Sequence, residues 1–296
     1  MNASLPYRGK TYLGRLTNSA IWSGFELRGD DIIVSTPPKC GTTWMQSLIA
    51  MLIFGKPGMD IEIRRISPWL DCGFRDNQAI AATLNAQDHR RCIKSHTPFD
   101  GITYDPQCTY IAVYRHPMDV HFSMRDHHRN MKDPILRDRF PDDIREGFRL
   151  FVKGRSPDGG SDDMTLDAIV HHFLSFRDWA HLPNVHLFHY ADMTRDLAHE
   201  VNRLQYLLGY HHPQSVVDDI VRGGQFETMQ GNARKNATPG GSELLRDAAA
   251  FFSSGSSGKW SGHLTDADIA LYQAEIAEML PPEDVLWLEQ GRGRGA

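Results

Sequence analysis

Between Asp31 and Trp44 the chain reads Asp-Ile-Ile-Val-Ser-Thr-Pro-Pro-Lys-Cys-Gly-Thr-Thr-Trp, an order that few folds accommodate. The run Asp31 to Ser35 is short and β-branched, is introduced by Arg28-Gly29-Asp30 and is closed by Pro37-Pro38, which predicts a buried strand. Trp44, Leu48, Met51 and Leu52 then recur at helical spacing. Strand, tight loop and helix in that order open an α/β unit. Further strands are expected at Arg91–Lys94, Thr109–Tyr114 and Val185–Tyr190. After the third, Pro117 suits the first turn of a helix running to about Met131. After the fourth, Asp192-Met193-Thr194 leads into a helix striped by Leu197, Val201, Leu204 and Leu208 and ended by Gly209. The pattern implies a three-layer α/β fold, with helices on both faces of a mostly parallel central sheet. A chain of 296 residues, 41% of them hydrophobic, has enough apolar material for one such domain over residues 1–290, with 291–296 expected as a frayed tail. Lys153 to Asp163 and Gly231 to Lys259 are rich in residues that do not pack and are expected to be mobile, as lids or as plain surface loops.

A net charge of −5 and a pI near 6.3 speak against nucleic acid or an anionic membrane as partner, so any bound anion must be held by a local pocket. Cys40, Cys72, Cys92 and Cys108 lack CxxC spacing, which suggests neither a zinc knuckle nor a disulfide framework and fits a reduced, cytoplasmic setting. The longest apolar stretch, Leu48 to Phe54, is too short for a membrane span. The pairs His127-His128, His171-His172 and His211-His212 have no carboxylates at metal-site spacing, so no metal site is expected.

The loop between the first strand and helix carries the chemistry. A helix N-terminus offers unpaired N–H groups, Gly41 lets backbone come close, Thr42 and Thr43 add hydroxyls, and Lys39 adds full charge. That combination cradles a phosphate or sulfate. It is not a Walker A loop, because Lys39 precedes Gly41 instead of following the second glycine. Arg115, at the end of a strand, sits where open α/β sheets bind ligands.

The segment Pro38 to Trp44 resembles the PKSGTTW loop of the cytosolic-type sulfotransferases that use 3′-phosphoadenosine-5′-phosphosulfate (PAPS). Lys94-Ser95-His96-Thr97-Pro98 is similar to that family's KTHLP, and Arg115 to Val120 followed by Ser123 to its RNPKDVxxS. Phe188 to Met193 is similar to FYEDM, Phe226 to Asn236 to FxxMxxNxxxN, and Gly258-Lys259-Trp260 through Thr265 to GDWKxxFT. The resemblance implies that PAPS is the donor and PAP the product, and that no metal is required. It implies that Lys39, Gly41, Thr42 and Thr43, with Cys40 at the serine position, hold the 5′-phosphosulfate, while Arg115 and Ser123 hold the 3′-phosphate. Trp44 and Phe226 would sandwich adenine, with Tyr190 at its edge. Among the 15 histidines, His96 alone sits in a matching motif, and it is the implied general base; Lys94 would bind the sulfuryl group and Lys39 the leaving oxygen, with Ser123 beside them.

Three departures stand out. The family's Arg-Lys-Gly clamp on the 3′-phosphate reads Ser253-Ser254-Gly255, and the lost charge is expected to come from Arg234, Lys235 or Arg246 on the same segment. The dimer motif KxxxTVxxxE is broken by Ser261 and Asp266, so that dimer is not expected. Cys40, among cations, is expected to be an acidic thiol. The sulfuryl group is expected to go to a hydroxyl or an amine of a small, apolar acceptor. Ile21–Phe25, Ser67–Phe74, His127–His128 and Lys153–Asp163 are its candidate lining, and Trp22, Trp69 and Phe74 suggest a phenol, sterol or lipid-like alcohol. A P-loop-type nucleotide kinase and a non-catalytic PAPS- or PAP-binding protein are the alternatives.

Overall fold

The computed structural model describes residues 5–57, 62–235, 245–247, 255 and 257–293. Four strands, β1 (Ile32–Ser35), β2 (Cys92–Ser95), β3 (Thr109–Tyr114) and β4 (Val185–His189), form one parallel sheet in the order β2-β1-β3-β4. Successive side chains alternate between faces. Ile33, Ile93, Tyr110, Ala112 and Tyr114 enter one apolar layer, and Ile32, Val34, Cys92, Ile111 and Val113 the other. Both faces are therefore covered, which is why these strands read as continuous apolar runs.

The helices are α1 (Thr42–Phe54), α2 (Ile63–Ile66), α3 (Asn77–Asn85), α4 (Pro117–Arg129), α5 (Pro134–Arg137), α6 (Ile144–Lys153), α7 (Leu166–Arg177), α8 (Tyr190–Arg195), α9 (Leu197–Leu207), α10 (Gln214–Gly223), α11 (Phe226–Lys235), α12 (Asp266–Met279) and α13 (Pro282–Gln290). Helices α1, α9 and α10 cover one face through Met45, Leu48, Leu52, Val201, Leu204 and Ile220. The other face takes α3, α4, α6, α7 and α12, with Phe122, Phe148, Phe151, Phe173 and Tyr272 filling the layer.

Strand order places the switch point between β1 and β3, whose following connections lead to opposite sides of the sheet. In such sheets ligands bind beyond the carboxyl ends of the strands at that crevice. The residues that follow the four strands are the Thr36–Gly41 loop, His96, Arg115 and Tyr190, so the topology alone gathers the candidate site.

The structure corrects four expectations. Tyr190 opens helix α8 instead of closing β4, because the His189 ring accepts from the Ala191 N–H and caps a helix across Asp192–Thr194. Lys153–Asp163 is pinned: Arg155 pairs with Glu275 at 2.8 Å, and Ser156 N–H donates to Asp167 at 2.9 Å. Asp162 also accepts from Leu16 N–H at 2.7 Å and Thr17 Oγ1 at 2.8 Å, tying this segment to the N-terminal strand-like turn. The tail is docked at least to Gly293, since Arg292 N–H donates to Asp192 at 3.0 Å and its guanidinium pairs with Glu200. Cys40 is wholly buried, and burial pushes its thiol up to about 12, so it is not acidic.

Candidate active site

The loop leaving β1 is built from two left-handed residues. Lys39 has φ 68° and Gly41 φ +110°. A side chain at Gly41 would meet the Tyr190 ring at 3.2 Å, so the position needs glycine for both its backbone and its close approach. Gly41 is also the N-cap of α1 and offers no side-chain cap, leaving the first N–H groups of that helix for another acceptor. Turns of this kind gather N–H groups into an anion-binding concavity. The Thr36 and Thr42 hydroxyls bond each other inside the loop, while Thr43 and the Lys39 side chain are half-buried at its rim.

His96 follows β2 and is buried. Its Nδ1 lies 2.7 Å from the Thr36 carbonyl, which can only accept, so Nδ1 carries the proton and Nε2 keeps its lone pair. Burial, then the charge of Lys94, holds the imidazole well below its ordinary pKa; the Thr36 bond opposes this, and the ring stays neutral. Trp69 packs edge-on against the ring with centroids 4.8 Å apart, and the Lys94 ammonium sits 4.4 Å from the centroid of the same indole. Burial lowers Lys94 to about 8 and Lys39 to about 7, and for Lys39 the next causes are Lys259, Arg115 and Lys94. Four cations thus crowd one crevice on an acidic protein. Such a crevice fits a polyanion, which would relieve the repulsion.

Behind His96 lies a polar hub. Asp71 is wholly buried and accepts from Trp22 Nε1 at 2.8 Å, Trp69 Nε1 at 2.7 Å, and Ser95 Oγ and Thr97 Oγ1 at 2.6 Å each. Burial raises this carboxyl, and the four donors pull it back. Its partners flank His96 in sequence and face it in space, so Asp71 fixes the ring's walls. Asp71→Asn puts an NH₂ against a donor. The expected result is a loss of about 1–3 kcal/mol in stability with a lower kcat, read by thermal unfolding and initial rates. An unchanged melting temperature would contradict the hub. Trp22, expected to line an acceptor pocket, is instead core, because its indole is committed to Asp71.

The other half of the crevice is aromatic. Arg115 follows β3, is buried and stacks on the Tyr190 ring at 4.4 Å. Tyr190 also meets Trp44 edge-on at 5.2 Å, and its hydroxyl donates to the Gly255 carbonyl at 3.1 Å. Trp44 Nε1 donates to the Gly224 carbonyl at 2.8 Å. Gly255, φ +61°, lies so close to Phe226 that a Cβ would come within 2.7 Å of its ring. Ser123 is buried on α4. Contacts thus join His96 to the anion loop, Arg115 to Tyr190, and Tyr190 to Gly41, Trp44 and Gly255, while Ser253 and Ser254 lie outside the described residues.

Residues 29–280 match the family described as "Sulfotransferase domain". The chain belongs to the sulfotransferase family. It is 33% identical over 320 residues to a glycolipid sulfotransferase of Mycobacterium bovis, covering 99% of this chain and 98% of that protein. Among solved structures it is similar to a mouse sulfotransferase in complex with PAP, with TM-score 0.72, 23% identity and coverage of 93% of this chain and 95% of that one. A retinol dehydratase in complex with retinol and PAP follows, with TM-score 0.71, 17% identity and coverage of 89% and 85%. These structural likenesses establish the sulfotransferase fold. The enzyme is a transferase of the EC 2.8.2 type, a class whose donor is PAPS. Among its described residues no helix is long and apolar enough to cross a membrane.

Sequence reasoning missed three residues of this sulfotransferase's crevice. Asp71 figured only within the candidate acceptor lining Ser67–Phe74. His127, expected only as acceptor lining, lies close enough to Lys39 and Lys94 that burial and their charges push it down to about 2. Lys259 figured only as part of a motif, although its effect on Lys39 exceeds that of any other charge.

Proposed function

We propose that this sulfotransferase passes the sulfuryl group of PAPS to the hydroxyl of a small, largely apolar acceptor, with His96 as general base. The single observation that carries this reading is the contact of His96 Nδ1 with the Thr36 carbonyl of the anion loop itself, which orients the ring beside that loop and puts the proton on Nδ1 and the lone pair on Nε2. PAPS supplies the sulfuryl group and departs as PAP. Lys39, Gly41, Thr42 and Thr43, with Cys40 behind them, bind the 5′ end, and Lys94 faces the transferring oxygens. Arg115 and Ser123 bind the 3′-phosphate, while Trp44, Tyr190 and Phe226 hold adenine. His96 takes the acceptor's proton as its oxygen attacks, and fixed cations balance charge on the departing side.

An apolar-walled recess lined by Pro37, Pro38, Met124, Phe151, Met164 and Ile169 lies behind the loop. That recess has room for little more than a methyl group, so the support for an acceptor with an alkyl or ring portion is half-exposed Phe74 against Trp69. The relatives named glycolipid sulfotransferases support a lipid-linked sugar hydroxyl within that class. Labelled PAPS presented with alkyl glycosides, phenols and sterols tests this: label is expected on an alkyl glycoside, and PAP binding without transfer to any hydroxyl would leave a binding protein. We read residues 1–290 as one domain, and the setting as cytoplasmic because all four cysteines are buried free thiols. We also propose that the family's dimer does not form, since Thr265 is committed to the α12 capping box with Asp268 and the flanking Ser261 and Asp266 depart from the motif.

A further inference from the structure

The 3′-phosphate site lacks two cations that the family's clamp supplies, Ser253 and Ser254 standing in their places. Arg246 is a poor replacement, because its backbone N–H is bound at 2.8 Å to the Asn130 carbonyl. That contact lies beyond the C-terminal end of α4, about two turns past Ser123. The side chains of Arg234 and Lys235 lie outside the described residues.

Lys259 is placed differently. Asp119, at the start of α4, accepts from the Gly258 N–H at 3.2 Å and the Lys259 N–H at 3.0 Å. Asp126, seven residues further on, pairs with the Lys259 ammonium at 3.4 Å. Asp119, Ser123 and Asp126 share one face of the helix. A side chain anchored at Asp119 and ending at Asp126 must therefore run along α4 past Ser123. It is drawn inward, only 11% exposed, while Asp126 is 55% exposed. Arg115, one turn before Asp119 on the same side, pairs with that carboxylate at 4.0 Å. Where the family motif reads Gly-Asp-Trp, this chain reads Gly258-Lys259-Trp260. Exchanging an acid for a lysine there returns the two charges that the clamp has lost.

We propose that Lys259 is the cation that completes the 3′-phosphate site, acting with Arg115 and Ser123 in place of the Arg-Lys pair. When that phosphate is present, the ammonium leaves an exposed carboxylate, a pairing worth little, for a dianion in a half-buried crevice. The inference rests on the PAPS reading above, and the test separates the two.

Calorimetry with PAP and with AMP, which lacks the 3′-phosphate, compares the wild type with Lys259→Met and Lys259→Arg. Lys259→Met is expected to weaken PAP binding about 10- to 100-fold and leave AMP within twofold, whereas Lys259→Arg keeps most PAP affinity. PAP affinity unchanged in Lys259→Met, or equal losses for PAP and AMP, overturns the assignment. A wild type that binds neither nucleotide overturns the donor reading as well. Thermal unfolding of each variant guards against a folding defect, and should Lys259→Met prove unstable, Lys259→Gln is measured in its place against the same two outcomes.

Discussion

Replacing His96 by alanine is expected to lower kcat by about 100- to 10,000-fold while PAP affinity stays within a few-fold of the wild type. The asymmetry follows from geometry. The ring touches the loop through the Thr36 carbonyl, and in the alanine variant water entering the space left by the imidazole can donate to that carbonyl, so the cradle is expected to survive. What disappears is the neutral Nε2 that accepts the acceptor's proton. Because burial and Lys94 hold the imidazole well below its ordinary pKa in the free enzyme, kcat/KM should show no acid limb from His96 as pH falls from 8 to 6. Steady-state rates and PAP calorimetry read both quantities. Full activity in the alanine variant would remove the proposed base.

Lys39→Met is the second large effect, because it removes the charge that the proposed mechanism sets against the leaving oxygen while keeping most of the side chain's length. A loss of about 100- to 1,000-fold in kcat is expected, the range for deleting one preorganised stabilising group. Lys39 also gives the donor site a pH dependence. Burial and its neighbours Lys259, Arg115 and Lys94 lower it to about 7 in the free enzyme, and the negative charge of a bound phosphate is expected to raise it again. Above pH 7 the free form has lost this proton and the complex has regained it, so binding takes up about one proton and PAP affinity falls by up to tenfold per pH unit. Calorimetry at pH 8 in buffers of different ionisation enthalpy measures that uptake. Lys39→Met should abolish it, and an uptake unchanged by the substitution would place the proton elsewhere.

The sequence was most legible where local signals agreed. β3 falls on the expected Thr109–Tyr114, and α1 follows β1 after the tight loop that Pro37-Pro38 and Gly41 mark. Since parallel strands put their C-terminal ends at one edge, reading the strands placed Arg115 at the mouth of the sheet, whereas His96 and Tyr190 entered the site through the family resemblance. β2 begins at Cys92 instead of Arg91, whose guanidinium turns to the buried Asp31 carboxylate. Segment Lys153–Asp163 read as mobile because its composition is that of a linker. The bonds that pin it, Asp162 to Leu16 and Thr17 above all, join residues about 145 apart in the chain and leave no local trace. Asp71 was illegible for the same reason: its four donors come from three separate segments. Cys40 was misread because a count of neighbouring cations neglects complete burial, which dominates the thiol.

The most direct measurement is a crystal structure with PAP bound. It should place the 5′-phosphate about 2.7–3.2 Å from the Lys39 ammonium and the Thr42 and Thr43 N–H groups, with His96 Nε2 turned toward the space beyond that phosphate. PAP lodged away from the β1–α1 loop, or a His96 whose Nε2 faces the protein interior, would contradict it.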